Sequence, residues 1–341
     1  MGWTHKTDAA KKRLSWPLLL EFPTAVLLVP ILWLTTLLPR RCRLAIADAA
    51  GYVGWLLHRR RRLIVHRNLD IAFGDSKSTE EKSHIGQRAF QYSARSVATV
   101  VSECKLASSP ETIDALVHSS PDVDRLITGC TDQPTAVLGG HFGDWEMGHI
   151  FLQHRGLKLV VVAKKLRNRV LNALLKRRRE SRGGFIPNAG ALGKLRALLR
   201  ERRNVALLPD QNARSRGRFF NFFDVAASTH FEWARLLMRS GYRVVFMACV
   251  WNRDGSYYFH AKEILALGTS APTTKIGRRE AADKLVKRYL QALEEAIRQH
   301  PDQYLWLHRR WKSRPTHSPW LYDLTQPLDQ NLVRRHPEPT R

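Results

Sequence analysis

The sequence predicts an α/β protein: a largely parallel central sheet flanked by helices, preceded by an N-terminal membrane helix and a helical region. Three observations predict it. From about Thr135 to His308 short apolar runs alternate with amphipathic stretches, the pattern of strands joined by helical crossovers. Trp16 to Leu38 reads WPLLLEFPTAVLLVPILWLTTLL, long enough to cross a bilayer as a tilted helix. Between them lie charged and apolar residues at helical spacing. The expected organisation is 1–43 as a membrane-anchoring segment, 44–125 as a helical membrane-proximal region, 126–315 as the α/β core and 316–341 as a poorly ordered tail.

In the first segment Glu21, Pro17, Pro23 and Pro30 interrupt the apolar run, and Phe22 to Leu38 is its cleanest part. It either spans the bilayer or lies in one leaflet. Pro39, Arg40, Arg41 and Arg43 follow with no small-residue cleavage site, which argues against a removable signal peptide. The heavier positive charge after the segment places the body on the cytoplasmic side. Leu44 to Leu57 is a second apolar stretch, ended by His58 and Arg59 to Arg62. It suits an interface with anionic lipid, or the arginines form a solvated helix end. Thr79 to Leu106 reads as a helix capped by Thr79, with Glu80 and Glu81 in its first turn and Phe90, Ala94, Val97 and Val101 on one face.

In the core, strands are expected over Thr135–Gly139, Leu157–Ala163, Val205–Leu208, Arg243–Val250 and Ser256–Ile264, with a short one at Phe185–Ile186 and a last one at Tyr304–His308. Helices are expected over Trp145–Arg155, Asn168–Arg182, Ala191–Arg202, Ser228–Ser240 and Ala281–His300.

The 341 residues carry 56 Lys+Arg against 30 Asp+Glu, a net charge of +26. A field of that sign attracts nucleic acid, anionic lipid headgroups or an acidic protein partner. No helix-turn-helix, finger or RNA-binding sheet motif is present, which disfavours nucleic acid. The four cysteines Cys42, Cys104, Cys130 and Cys249 form no C-x-x-C pair, so neither a zinc site nor a disulfide scaffold is indicated.

One segment stands out for chemistry, Val137-Leu138-Gly139-Gly140-His141-Phe142-Gly143-Asp144-Trp145-Glu146. A buried strand runs into two glycines, a histidine and a helix start. Open α/β sheets place ligands at such carboxyl ends. Glu146, near one helical turn on, can reach back to the imidazole and fix its tautomer, making His141 a general base toward a hydroxyl. Asp144 is a second carboxylate in reach, and N–H groups at Gly140 and Gly143 could receive an oxyanion. The spacing of His141, His149 and His154 matches no common metal motif. No G-x-S-x-G elbow occurs, and no cysteine adjoins His141.

Gly140 to Glu146, GHFGDWE, resembles the signature of the lipid A biosynthesis lauroyl/myristoyl (late) acyltransferase family, within the wider glycerolipid acyltransferase-like group. Asn204–Gln211 (NVALLPDQ), Phe219–Thr229 (FFNFFDVAAST), Tyr304–Pro315 (YLWLHRRWKSRP) and Asn68–Phe73 (NLDIAF) are similar to further family segments in the same order. Lys164-Lys165 stand where such proteins usually have Arg-Pro, and Asn212-Ala213-Arg214 replace a glycine-containing turn. The resemblance implies a membrane-bound enzyme that moves a fatty acyl group from a thioester carrier, acyl-carrier protein or coenzyme A, to a hydroxyl of a lipid A precursor or related anionic glycolipid. No cofactor or metal is implied. His141 and Glu146 would be catalytic, supported by Asp144, Gly140 and Gly143. Lys164, Arg178, Asp210, Gln211, Arg309 and Arg310 would bind substrate, the cations taking phosphates. Acylation of a mannosylated, ornithine or glycerol lipid, a membrane-associated nucleic-acid-binding protein and an inactive scaffold are the alternatives.

Overall fold

The computed structural model describes residues 34–35, 37–102, 109–163, 184–187, 190–269, 272–330 and 333. The described chain opens with helices α1 (Arg40–Leu57), α2 (Arg59–Phe73) and α3 (Thr79–Ser102). α3 starts one residue earlier in its capping than its Thr79 suggests. The Ser78 hydroxyl accepts the Glu81 N–H, and the Glu81 carboxylate accepts the Ser78 N–H, a reciprocal capping box. α1 lies close on α3: a Cβ on Gly51 would come within 2.5 Å of the Gln91 Cα. Asp48 and Arg95 lock the two helices through a fork of 2.6 and 2.5 Å.

The remaining elements are α4 (Pro110–Leu116), β1 (Val117–Ser119), α5 (Pro121–Thr131), β2 (Thr135–Leu138), α6 (Trp145–His154), β3 (Val160–Ala163), β4 (Phe185–Pro187), α7 (Ala191–Arg200), β5 (Val205–Leu207), β6 (Arg218–Phe222), β7 (Val225–Thr229), α8 (Glu232–Ser240), β8 (Arg243–Trp251), β9 (Tyr257–Leu265) and α9 (Lys275–Gln299). Seven strands form one sheet in the order β1-β9-β8-β2-β5-β3-β4. Its neighbours are parallel except for β8 and β9. The α/β class with a mostly parallel sheet is therefore what the alternation predicts.

Alternate residues of each strand feed opposite faces. Ala136, Leu138, Val244, Phe246 and Ala248 join a core covered by α7, α8 and α9. Val137, Val245, Met247 and Cys249 join a second core under α5 and α6. Both faces are thus buried, as crossover helices require of a parallel sheet.

Three expectations change. Ser228 and Thr229 end β7 rather than begin a helix. β6 and β7 form an antiparallel hairpin, closed by Phe223 and Asp224 at φ 51° and 59°, the two left-handed residues of a tight hairpin turn. Tyr304–His308 is not a strand: only Tyr304 bridges, to Phe142. The Asn68 amide takes the carbonyls of Trp306 and His308 at 2.5 and 2.8 Å, so a side chain satisfies groups that a neighbouring strand would otherwise pair. The tail from residue 316 is packed as far as 330. Leu321 and Tyr322 are buried, and Tyr322 donates to Asn68 Oδ1 at 2.6 Å. Among the described residues no helix is long and apolar enough to cross a membrane. The expected span lies, but for residues 34–35 and 37–38, outside the described residues, as does the expected helix 168–182.

The buried Arg67 guanidinium ties α2 to this tail, donating to the carbonyls of Leu321 at 3.0 Å, Asp323 at 2.5 Å and Gln326. Arg67→Met strands three carbonyls, and the expected loss is about 3 kcal/mol. A lowered urea midpoint, with proteolysis beginning in 315–330, is the measured outcome.

Candidate active site

β2 and β5 are parallel neighbours paired Leu138 to Leu207. Strands that leave a sheet level with each other carry their following residues out side by side. Three positions beyond each stand His141 and Asp210, and they meet. His141 Nδ1 lies 2.8 Å from Asp210 Oδ1, and the His141 backbone N–H donates to Oδ2 at 2.9 Å. One carboxylate therefore fixes both the ring and the backbone that carries it. The imidazole is 23% exposed and the Asp210 side chain 1%.

Burial alone pulls the imidazole pKa down, but the Asp210 charge and hydrogen bond pull harder, and His141 ends above its ordinary value. Burial pushes Asp210 up, and the His141 charge, its two hydrogen bonds and the Arg310 charge bring it below the usual carboxylate range. With the Nδ1 proton directed at Asp210, Nε2 holds the free lone pair. The Gln211 amide nitrogen stands 3.4 Å from it, and the Trp145 ring meets the imidazole edge-on at 5.3 Å between centroids.

The turn from Gly139 to Asp144 is clamped at nearly every residue. Tyr289 donates to the Gly139 carbonyl at 2.8 Å. The Leu305 N–H reaches the His141 carbonyl at 3.0 Å, Gly143 N–H donates to Gln303 O at 3.0 Å, and Asp144 N–H to Cys249 O at 2.7 Å. Gly143 sits at φ 61°, and a Cβ there would be 2.0 Å from the Cys249 carbonyl, so only glycine fits. Its N–H is already committed to Gln303, which corrects its assignment as an oxyanion donor. Gly140 fills a different need: a Cβ would come within 2.8 Å of the Leu293 side chain.

The carboxylate found on the imidazole is Asp210, not Glu146. The chain from His141 to Asp144 is not helical, so the five-residue spacing does not bring Glu146 back over the ring as a helical turn would. Glu146 is buried in the first turn of α6, and Asp144 is its N-cap, accepting the Met147 N–H at 3.0 Å. Burial, with the Glu146 charge adding to it, raises the Asp144 pKa to about 6.

Arg310, expected to hold substrate, is 1% exposed. Its guanidinium donates to Ser228 O at 2.7 Å and Thr229 Oγ1 at 2.6 Å, anchoring β7 while its charge faces Asp210. Arg309 is half-buried over the Tyr322 ring. Lys164 and Arg178 lie outside the described residues. His308, which carried no role in the sequence, accepts the Asn212 N–H at Nε2, 3.0 Å away. Burial lowers its pKa to about 4, so it is a neutral acceptor that holds the loop beside Gln211.

Beside this pair, between α6 and the sheet, is a cavity of about 60 Å³. Gly140, Phe142 and Trp145 form its near side, and Val137, Leu152, Leu159, Met247 and Phe259 line its apolar depth. A carboxylate-held imidazole with an apolar recess beside it thus stands at the carboxyl ends of a parallel sheet. Residues 13–313 match the model of the bacterial lipid A biosynthesis acyltransferase family, and the chain belongs to that family. It is an acyltransferase. It is 27% identical to a lipid A biosynthesis acyltransferase of Haemophilus influenzae over 79% of this chain and 85% of the relative. It is 26% identical to the lipid A biosynthesis palmitoleoyltransferase of Escherichia coli K12, over 86% of this chain and 92% of the relative. A lipid A biosynthesis acyltransferase of Shigella flexneri matches to the same extent.

Two outcomes follow from the buried charges. Asparagine caps a helix as well as aspartate does, so Asp144→Asn keeps α6. The raised pKa makes wild-type Asp144 stabilising when protonated, and that contribution is lost as pH rises through about 6. Wild type should therefore lose ground to Asp144→Asn, by on the order of 2 kcal/mol, between pH 4 and 7 in urea unfolding. Arg310→Met leaves Asp210 with less opposing charge and frees β7. It should cost about 3–5 kcal/mol in the same measurement.

Proposed function

We propose that this acyltransferase moves a fatty acyl group from a thioester carrier to a hydroxyl of a lipid A precursor, at the cytoplasmic face of the inner membrane. The observation that carries the chemistry is the 2.8 Å contact between His141 Nδ1 and Asp210. In the reaction His141 Nε2 takes the proton of the acceptor hydroxyl as its oxygen bonds to the thioester carbonyl carbon. The tetrahedral intermediate collapses with cleavage of the C–S bond, and the imidazolium returns the proton to the departing thiolate. Asp210 holds the tautomer and stabilises the imidazolium. Gln211 occupies the hydroxyl's place on Nε2 and yields it when the acceptor arrives. Glu146 keeps a supporting place in the first turn of α6, beside Asp144.

The names of the relatives support the lipid A acceptor. The apolar cavity supports a fatty acyl group. The net charge of +26 suits an acidic carrier such as acyl-carrier protein, and coenzyme A is the other donor of this chemistry.

Lipid A from cells lacking the gene should be lighter by one acyl group, restored by wild type but not by His141→Ala. Loss of an acyl group from another lipid instead would replace the acceptor and keep the chemistry. With purified enzyme, the raised His141 pKa means that the neutral base appears only above the ordinary imidazole range, so turnover should rise with pH there. Asp210→Asn should lower turnover by roughly a hundredfold or more and move that rise to lower pH, because burial is then unopposed. Glu146→Gln should move it less. The reverse order would make Glu146 the partner that tunes His141.

A further inference from the structure

The chemistry uses nothing on the outer side of α1. From Leu44 to Leu57 the one charged residue is Asp48, and its carboxylate is held by Arg95. The inner face carries the buried Ala47, Gly51 and Trp55. The outer face is apolar and open: Ile46 is 48% exposed, Val53 48%, Leu56 51% and Leu57 75%. They recur at i, i+7, i+10 and i+11, one side of a helix, with the exposed Ala45, Ala49 and Ala50 between them. From Ile46 to Leu57 the stripe is about 18 Å long. Leu34, Leu37 and Leu38 are also exposed just before it. Elsewhere on the described surface exposed large apolar residues, such as Leu192 and Trp320, are scattered. A contiguous stripe of this kind marks a surface that meets an apolar partner.

Charge identifies the partner. Exposed Arg41 precedes the stripe, and exposed His58, Arg59, Arg60 and Arg61 follow it. Between residues 40 and 69 Asp48 is the sole acidic residue. Apolar side chains flanked by arginines match a leaflet whose interior is hydrocarbon and whose surface is phosphate. The arginine end also adjoins the active site. Arg61 Nη1 donates to Leu307 O at 3.4 Å. The next residue, His308, holds Asn212, and Gln211 before that reaches His141.

We propose that the outer face of α1 docks into an anionic lipid leaflet, with Arg59, Arg60 and Arg61 among the headgroup phosphates beside the His141 opening. A lipid acceptor then reaches Nε2 without leaving the leaflet. That consequence rests on the function proposed above; the docking itself does not.

The test uses the full chain with Cys42→Ser and Cys104→Ser, carrying a polarity-sensitive fluorophore at Val53→Cys or, as a control, at Asp122→Cys on α5. On phosphatidylcholine vesicles containing phosphatidylglycerol, nitroxide-labelled lipid should quench the probe at 53 and not at 122. Arg59→Gln, Arg60→Gln and Arg61→Gln together should raise the anionic lipid needed for that quenching by roughly fivefold per arginine. An unquenched probe at 53 on vesicle-bound protein overturns the proposal. So does a probe already shielded without vesicles, which would assign the face to the chain's own first residues or, if shielding grows with protein concentration, to a second copy. An unchanged lipid requirement in the triple variant removes the arginines from the interface. Acyl transfer assayed in detergent separates the two readings. Transfer with an unquenched probe sinks the docking alone, and quenching without transfer to any lipid sinks the function alone.

Discussion

Asp210 is a carboxylate almost out of reach of water, and it has to be kept ionised by what surrounds it. His141 does so from one side, through the ring and its own backbone N–H. The buried charge of Arg310 does so from the other. A buried carboxylate without such neighbours would take up a proton, and His141 would lose the partner that sets its tautomer. The two neighbours come from distant parts of the chain. His141 follows β2, and Arg310 lies beyond α9 and is itself tied to β7. The hairpin, the sheet edge and the loop after α9 are thereby held to one arrangement by a single charge.

How much of this was legible in the sequence follows from the range of each signal. Apolar runs such as Val137-Leu138 and Val244–Val250 give their strands directly, because burial on both faces leaves a nearly continuous apolar string. GHFGDWE gives the turn, since the glycines and Asp144 have local jobs as close-approach and capping residues. The partner of His141 could not be found that way. Its choice depends on β2 lying beside β5 in level register, and strand order is not written in either strand. The offset between Leu138 and Leu207 equals that between His141 and Asp210, so sheet order and register together point to Asp210. Tyr304–His308 misled for the opposite reason. It is as apolar and aromatic as a strand, but Asn68 serves its carbonyls. Arg310 looked like a surface cation because composition cannot show burial.

The site joins two environments. The imidazole opens toward polar groups at Gln211 and Asn212, while the recess beside it is lined by apolar residues of α6 and the sheet. In the proposed reaction the acyl chain takes the recess and the hydroxyl approaches from the polar side. The thioester carbonyl is then the point where the two meet. The tightly clamped turn keeps that point fixed. On the α6 side of the recess Gly148 lies against Cys249 and Phe259 with no side chain of its own.

The tail on α2 has a consequence in time as well as in space. Asn68 is made early and waits for Trp306, His308 and Tyr322, the last of them 254 positions later. Contacts so far apart in the chain are slow to form. They also cannot form on the ribosome until residues 306 to 322 have emerged. Arg310 belongs to the same late segment. A nascent chain therefore holds the sheet and His141 well before it holds the charge that settles Asp210. The loop that positions Gln211 is locked by His308, which is translated after every strand of the sheet, so the working site follows the sheet in time.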